Sequence, residues 1–151
     1  MVKIKLSVSE ECYGEIRQFL TEKGIELDED AEFELIQRDK FISYLSVKEP
    51  ETGKKLRLST DEIVSIESYG HIVEVHTLHA IYTTADRLYQ LVSLLDPDRF
   101  IRVNKSVIVS KNKIKKIKSG LSMKFTLIMC NDQHFDVTRS YYNSFKEAFR
   151  L

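Results

Sequence analysis

The chain has 151 residues, enough for one domain, or for one small domain with an appendage. Hydrophobic residues make up 42%, with seven Tyr and eight Phe, so a core is within reach, while no apolar run is long enough to span a bilayer as a helix. Cys12 and Cys130 stand far apart without CxxC spacing, which argues against a zinc site or a disulfide framework and for a reducing, cytoplasmic setting.

Lys3-Ile4-Lys5-Leu6-Ser7-Val8 alternates polar and apolar residues and predicts a strand. Ser9 is a helix cap, with Tyr13, Ile16 and Leu20 on one stripe and Gly24 as the stop after Lys23. Residues 31–36 predict a second strand with Phe33 and Leu35 on one face. Residues 1–40 therefore read as a small β-α-β unit that serves regulation or interaction.

From residue 41 the pattern changes to short strands, predicted over 41–47, 54–58, 63–67, 71–77 and 80–84. Pro50-Glu51-Thr52-Gly53 is a turn, and Leu78-His79 a tight connection. Thr84 is placed as the cap of a helix with Leu88, Leu91, Val92 and Leu95 on its apolar stripe, ended by Asp96-Pro97-Asp98. Strands follow over 100–110, 114–117, 123–130 and 134–137. A last helix from about Ser140 is expected to bury Tyr141, Phe145, Ala148 and Phe149. The expected fold class is mainly β with short helices, its sheets antiparallel after residue 40.

The zero net charge hides a strong asymmetry. Residues 1–39 hold five basic and eleven acidic side chains, residues 40–98 six and nine, and residues 99–151 twelve and three. The net charges are −6, −3 and +9. Residues 99–131 carry nine Lys or Arg and no carboxylate, which points to a polyanionic partner at one end of the chain. The same numbers also fit a solvated basic face that offsets an acidic N-terminus.

The order of several motifs gives a resemblance. Asp61-Glu62-Ile63-Val64-Ser65-Ile66-Glu67-Ser68 is followed by Tyr69-Gly70-His71, then by Thr84 with Leu88 and Leu95. Next comes Phe100-Ile101-Arg102-Val103-Asn104-Lys105-Ser106-Val107-Ile108-Val109-Ser110, and finally Val137-Thr138-Arg139-Ser140-Tyr141-Tyr142. Over residues 41–151 the chain resembles the LytTR DNA-binding domain family. The resemblance implies small stacked antiparallel β sheets that grip double-stranded DNA with loops, entering successive major grooves at promoter tandem repeats. Asn104 stands where the family usually has His. The resemblance also implies a regulator controlled by a partner, sometimes a membrane protein, and no phosphorelay receiver fits within forty residues.

The resemblance places Tyr69 and His71 at the family's first DNA-facing loop and aligns Lys105, on a turn or strand end, with a DNA-contacting position. Asn104 can donate to and accept from a base, Ser106 can donate to a phosphate oxygen, and Arg139 follows a strand and precedes the last helix. Lys105 suits guanine O6/N7 or a phosphate, and Arg139 can read guanine bidentately. Equally, Lys105 could be a plain surface residue, Ser106 could satisfy its own turn, and Arg139 could pair with Asp136. Lys111, Lys113, Lys115, Lys116 and Lys118, spaced around Ile114 and Ile117, supply phosphate attraction or a solvated face. Glu74, His76 and His79 tempt toward a metal, but on one strand His71 and His79 lie about 26 Å apart at ~3.3 Å per residue. Val73 and Val75 are expected in the core, with Glu74 and His76 in solvent. No phosphate loop, nucleophile elbow or catalytic triad pattern is present, so neither an enzyme nor a cofactor or metal is expected. The leading reading is a sequence-specific DNA-binding transcription regulator, with a homodimer as its expected assembly. A protein-interaction or sensor module with a basic docking face, and an RNA-binding module, are the competing readings.

Overall fold

The computed structural model describes residues 1–37 and 41–151. The chain divides into two compact units, Met1–Phe41 and Ile42–Leu151. The boundary expected at 40–41 adjoins residues 38–40, which lie outside the described residues.

In the N-terminal unit β1 (Lys3–Ser7) is central, flanked by β2 (Glu26–Leu27) and β3 (Phe33–Ile36), all parallel. Helix α1 (Glu10–Glu22) makes the crossover that parallel neighbours require. Glu10 and Glu11 complement its N-terminal dipole, and Gly24 follows it at φ +77°. Its inward stripe is Cys12, Ile16 and Leu20, at i, i+4 and i+8; Tyr13 is exposed, one residue off the stripe proposed from sequence. Strand β2 is not predicted from the sequence, because two residues are too few to show a period. All four residues of β3 are exposed, Phe33 and Leu35 included.

The second unit opens with the hairpin β4 (Tyr44–Lys48) and β5 (Lys55–Ser59). Next come β6 (Ser65–Tyr69), β7 (Ile72–His76), β8 (Ile81–Thr84) and helix α2 (Leu88–Leu94). The hairpin β9 (Phe100–Asn104) and β10 (Val107–Ser110) completes a seven-stranded sheet in the order β5-β4-β8-β7-β6-β10-β9. A second, three-stranded sheet joins β11 (Ile114–Gly120), β12 (Lys124–Met129) and β13 (His134–Val137), and α3 (Arg139–Ala148) ends the fold. Every strand pairing in this unit, among the described residues, is antiparallel.

Two apolar layers hold this unit together. On one face of the large sheet Leu88 and Leu91 of α2, with Leu95 just after it, pack on Leu45, Val47, Ile66, Val75 and Ile108. On the other, Val103, Val107 and Val109 meet Leu127, Met129, Phe135 and Val137 of the small sheet, closed by Phe145 of α3. Each fully buried side chain of this size contributes about 1.5–3 kcal/mol.

Several expectations are corrected here. Residues 60–62 form a 3₁₀ turn ahead of β6, so that strand begins at Ser65 and not at residue 63. Thr84 ends β8, with its hydroxyl donating to the Ser46 carbonyl at 3.1 Å, and Arg87 is the residue that caps α2. There the Gln90 side chain accepts from the Arg87 amide at 2.8 Å. Val92 is exposed, because the seven-residue α2 meets the sheet only through Leu88 and Leu91, at i and i+3, and the next contact is Leu95, just beyond its end. Ala148 is exposed as well, and Tyr142, which the sequence did not single out, stacks on Phe125 with ring centroids 4.7 Å apart.

Candidate nucleic-acid interface

Antiparallel pairing brings distant residues of the sequence to one end of the large sheet. Tyr69 is paired with Ile72, so Gly70 and His71 are the two-residue tip of the β6–β7 hairpin. Gly70 has φ +59°, a conformation that the first tip residue of such a turn needs and a side chain resists. Asn104 is paired with Val107, so Lys105 and Ser106 form the tip of β9–β10. Strand β10 lies antiparallel to β6, which puts both tips at the same end. The Ser68 amide donates to the Ser106 carbonyl at 2.8 Å and ties them together. Arg139, first residue of α3, joins them because the Thr138 amide donates to the Val103 carbonyl at 3.1 Å. Tyr69, His71, Asn104, Lys105, Ser106 and Arg139 thus share one end.

The side chains at this end differ in freedom. His71, Lys105 and Arg139 are exposed. The ion pair between Arg139 and Asp136 that sequence left open is not formed, since Asp136 pairs with Lys124 at 3.1 Å. Asn104 braces the turn: its amide nitrogen donates to the Asp136 carbonyl at 3.0 Å and its oxygen accepts from the Ser106 amide at 2.8 Å. That leaves one amide hydrogen for an outside acceptor. The Tyr69 hydroxyl donates to Glu67 at 2.5 Å, and this hydrogen bond to a carboxylate pushes its pKa up to about 12, so it stays a neutral phenol.

Lys111 and Lys113 sit at the opposite end of the sheet. The chain reverses at residues 105–106 and runs the length of β10 before reaching them, and the Lys111 amide donates back to the Arg99 carbonyl at the start of β9. Nearness in sequence to Lys105 hides that reversal. Lys115, Lys116 and Lys118 lie along β11, an edge strand of the small sheet. A bulge at Lys115 lets Ile114 and Ile117, three residues apart, both turn inward. Lysines on an edge strand also discourage unwanted strand pairing.

Arg102 was not singled out from the sequence, although it stands in the quoted motif. Its guanidinium donates to the carbonyls of Asn104 at 3.2 Å and Lys105 at 2.5 Å, holding the second tip in shape. Arg87 lies exposed beside the first tip, 3.5 Å from the His71 carbonyl. Arg99 bonds Thr60 and Asp61, so its charge serves the fold.

His76 overturns the expectation that it faces solvent. It is buried, with Nε2 3.0 Å from Glu74 and Nδ1 3.1 Å from the Gln133 amide nitrogen. Gln133 in turn accepts from Ser65 at 2.6 Å and from Asn131 at 2.8 Å. The outward face of β7 at this point is covered by the turn between β12 and β13, which no strand period can show. Among the described residues no group of His, Cys, Asp and Glu is arranged to hold a metal ion. Likewise, no helix among them is long and apolar enough to cross a membrane.

The sequence profile of the LytTr DNA-binding domain family matches residues 53–150, about two thirds of the chain. The chain belongs to the LytTR family. Its LytTR domain is similar to the transcriptional regulatory protein LytR of Staphylococcus aureus strain N315, 28% identical over 94 residues. It is also similar to the sensory transduction protein LytR of Staphylococcus saprophyticus, 23% identical over 94 residues. Those alignments cover 62% of this chain but only 38% and 37% of the relatives. Among solved structures, the LytTr DNA-binding domain of a Bacillus cereus protein superposes with a TM-score of 0.68 at 24% identity. It covers 73% of this chain and 99% of that one, which places the LytTR domain in the same fold.

Proposed function

We propose that the protein is a transcription regulator that binds double-stranded DNA sequence-specifically through the end of the large sheet carrying the two hairpin tips and Arg139. The observation that carries this reading is the gathering of His71, Lys105 and Arg139, all exposed, at one end of a LytTR fold. Side chains on loop tips can reach base edges without a recognition helix. The two tips are separated by two strand spacings, about 10 Å at ~4.8 Å each. Arg139 stands on a different element, beyond β9. In this reading His71 and Arg139 take the two ends of the footprint, in successive major grooves, with Lys105 between them. The regulatory names of the LytR relatives support the same role. Lys111 and Lys113, at the far end, contribute only to the general field.

Base readout is separable from phosphate attraction. A bidentate contact to a base edge is worth about 1–3 kcal/mol of discrimination, while a phosphate contact serves all sequences alike. Arg139→Ala is therefore expected to weaken operator binding by about tenfold or more and leave scrambled duplex nearly unaffected. His71→Ala should behave in the same way, whereas Lys116→Ala should weaken both duplexes by a smaller, equal factor. Titrations of each variant against both duplexes, with folding checked by thermal melts, measure this. Equal losses on both duplexes for Arg139→Ala would make it a positioning contact.

The N-terminal unit stands apart from DNA in this reading, because a net charge of −6 over residues 1–39 is repelled by phosphate. Its exposed Phe19, Phe33, Leu35 and Ile36 suit a homodimer contact or a regulatory partner. Removing residues 1–39 should leave the DNA affinity of the folded remainder within about threefold and abolish regulation, a factor worth less than 1 kcal/mol. A folded truncation that loses DNA binding would contradict it.

A further inference from the structure

The large sheet carries a second basic feature that no motif announced. A groove of about 560 Å³ runs along β4, β5 and β8, lined by Ser46, Lys48, Lys55, Arg57, Thr83 and Thr84 among others. Three cations and three hydroxyl side chains line it and, among the described residues, no carboxylate does. That is against the local composition, since residues 40–98 have a net charge of −3. Strands β4 and β8 are paired at one position only, Lys48 opposite Thr83, so the seam between them is open.

Strand register fixes where the groove lies. Lys55 is opposite Lys48, and Arg57 is opposite Ser46, two residues nearer the start of β4. Thr84 is opposite Val73, two residues from His71. Since β4 runs antiparallel to β8, its start points toward the end of the sheet that bears the His71 tip. Arg57 is therefore the cation of the groove nearest that end. Its guanidinium is held 4.6 Å over the ring of Tyr44, which limits its freedom before any partner arrives. From β7 to β5 is three strand spacings, about 14 Å at ~4.8 Å each. A side chain centred in a major groove about 12 Å wide lies roughly 6 Å from each wall, so a long cation based about 14 Å to one side meets the flanking backbone and not the groove floor.

We propose that Lys48, Lys55 and Arg57 form a phosphate-binding groove that grips the DNA backbone beside the His71 tip, widening the footprint without adding sequence preference. This rests on the DNA-binding reading above. Lysine and arginine supply the charge that releases counterions, and Ser46 and Thr83 hydroxyls donate to phosphate oxygens. An acidic protein segment would be drawn by the same charge, and the test separates it.

The experiment titrates the full-length protein with a mixed-sequence duplex over a range of salt, for wild type, Lys55→Ala/Arg57→Ala and Lys48→Ala/Lys55→Ala. The second double variant leaves Arg57 on Tyr44 and guards against a loss of folding. Lys3→Ala, in the N-terminal unit, controls for net charge. Removing one phosphate-bound cation should make the log–log slope shallower by about 0.9, so each double variant should be shallower by close to two units. At about 0.1 M salt that corresponds to roughly eightfold per cation, hence a tenfold to sixtyfold weaker complex. Lys55→Arg/Arg57→Lys should retain the wild-type slope. Salt-dependent binding by wild type with an unchanged slope in both double variants would overturn the groove assignment and leave the DNA reading standing. An unchanged slope together with a loss of polyglutamate binding would assign the groove to an acidic protein and overturn it equally. A wild-type protein that binds no duplex at all would sink the DNA-binding reading itself, and the groove assignment with it.

Discussion

Raising the salt from about 50 to about 200 mM is expected to weaken duplex binding by the wild-type protein roughly 150-fold. The charge count alone overstates the basic surface. Of the nine cations in residues 99–131, Arg99 is bonded to Asp61, and Arg102 to the carbonyls of the tip it shapes. Lys115 pairs with Asp132 at 3.4 Å and Lys124 with Asp136 at 3.1 Å. Lys111 and Lys113 lie at the end of the sheet opposite the two hairpin tips. With Arg139 assigned to base readout, the exposed cations left for phosphate contact in the proposed reading are Lys105, Arg87, Lys116 and Lys118. About four phosphate contacts at 0.9 each give a log–log slope near −3.6, and the cations of the β4–β5 groove would steepen it further. Fluorescence anisotropy at several salt concentrations measures this. A slope near zero would remove the electrostatic case, because a polyanion partner cannot be bound by these side chains without counterion release.

Phe145→Ala is expected to destabilise the LytTR domain by about 3–5 kcal/mol. Phe145 is fully buried, with its ring 5.4 Å from Phe125 and 4.6 Å from Phe149 between centroids. It is the side chain by which α3 closes the layer between the two sheets, so truncation removes apolar burial and leaves a cavity. A loss of that size is a large fraction of the roughly 5–15 kcal/mol by which a domain is stable. Since α3 begins at Arg139, the change should also weaken the DNA contact proposed for Arg139. Urea denaturation followed by circular dichroism gives the number. Ala148→Ser is the matched control, on the same helix but exposed, and should shift stability by no more than about 0.5 kcal/mol. Near-equal midpoints for the two variants would mean that α3 does not anchor the domain.

The fold class, the antiparallel pairing after residue 40 and the family were all legible in the sequence. Alternation of Val and Ile with polar residues, as in Val73, Glu74 and Val75, marks a strand wherever one face meets a core and the other does not. The ordered motifs from Asp61 to Tyr142 carried the family, and they include residues that shape the tips. Gly70 is one, for its positive φ, and Asn104 another, for its bonds within the turn. Local chemistry of this kind is written in residue identity, so a linear reading finds it.

What the linear reading could not supply was which residues share an end, a face or a partner. Lys105 and Lys111 are six residues apart and group together on charge, yet a hairpin reversal sends them to opposite ends. His76 reads as an outward residue until the β12–β13 turn, more than fifty residues later, folds over it and supplies Gln133. The β4–β5 groove is invisible in the sequence because Lys48, Lys55 and Arg57 belong to a segment of net negative charge and meet only through strand register. Sequence encodes period and turn chemistry, which are properties of neighbours. The charge that faces a partner depends on long-range pairing, and only the tertiary structure decides that.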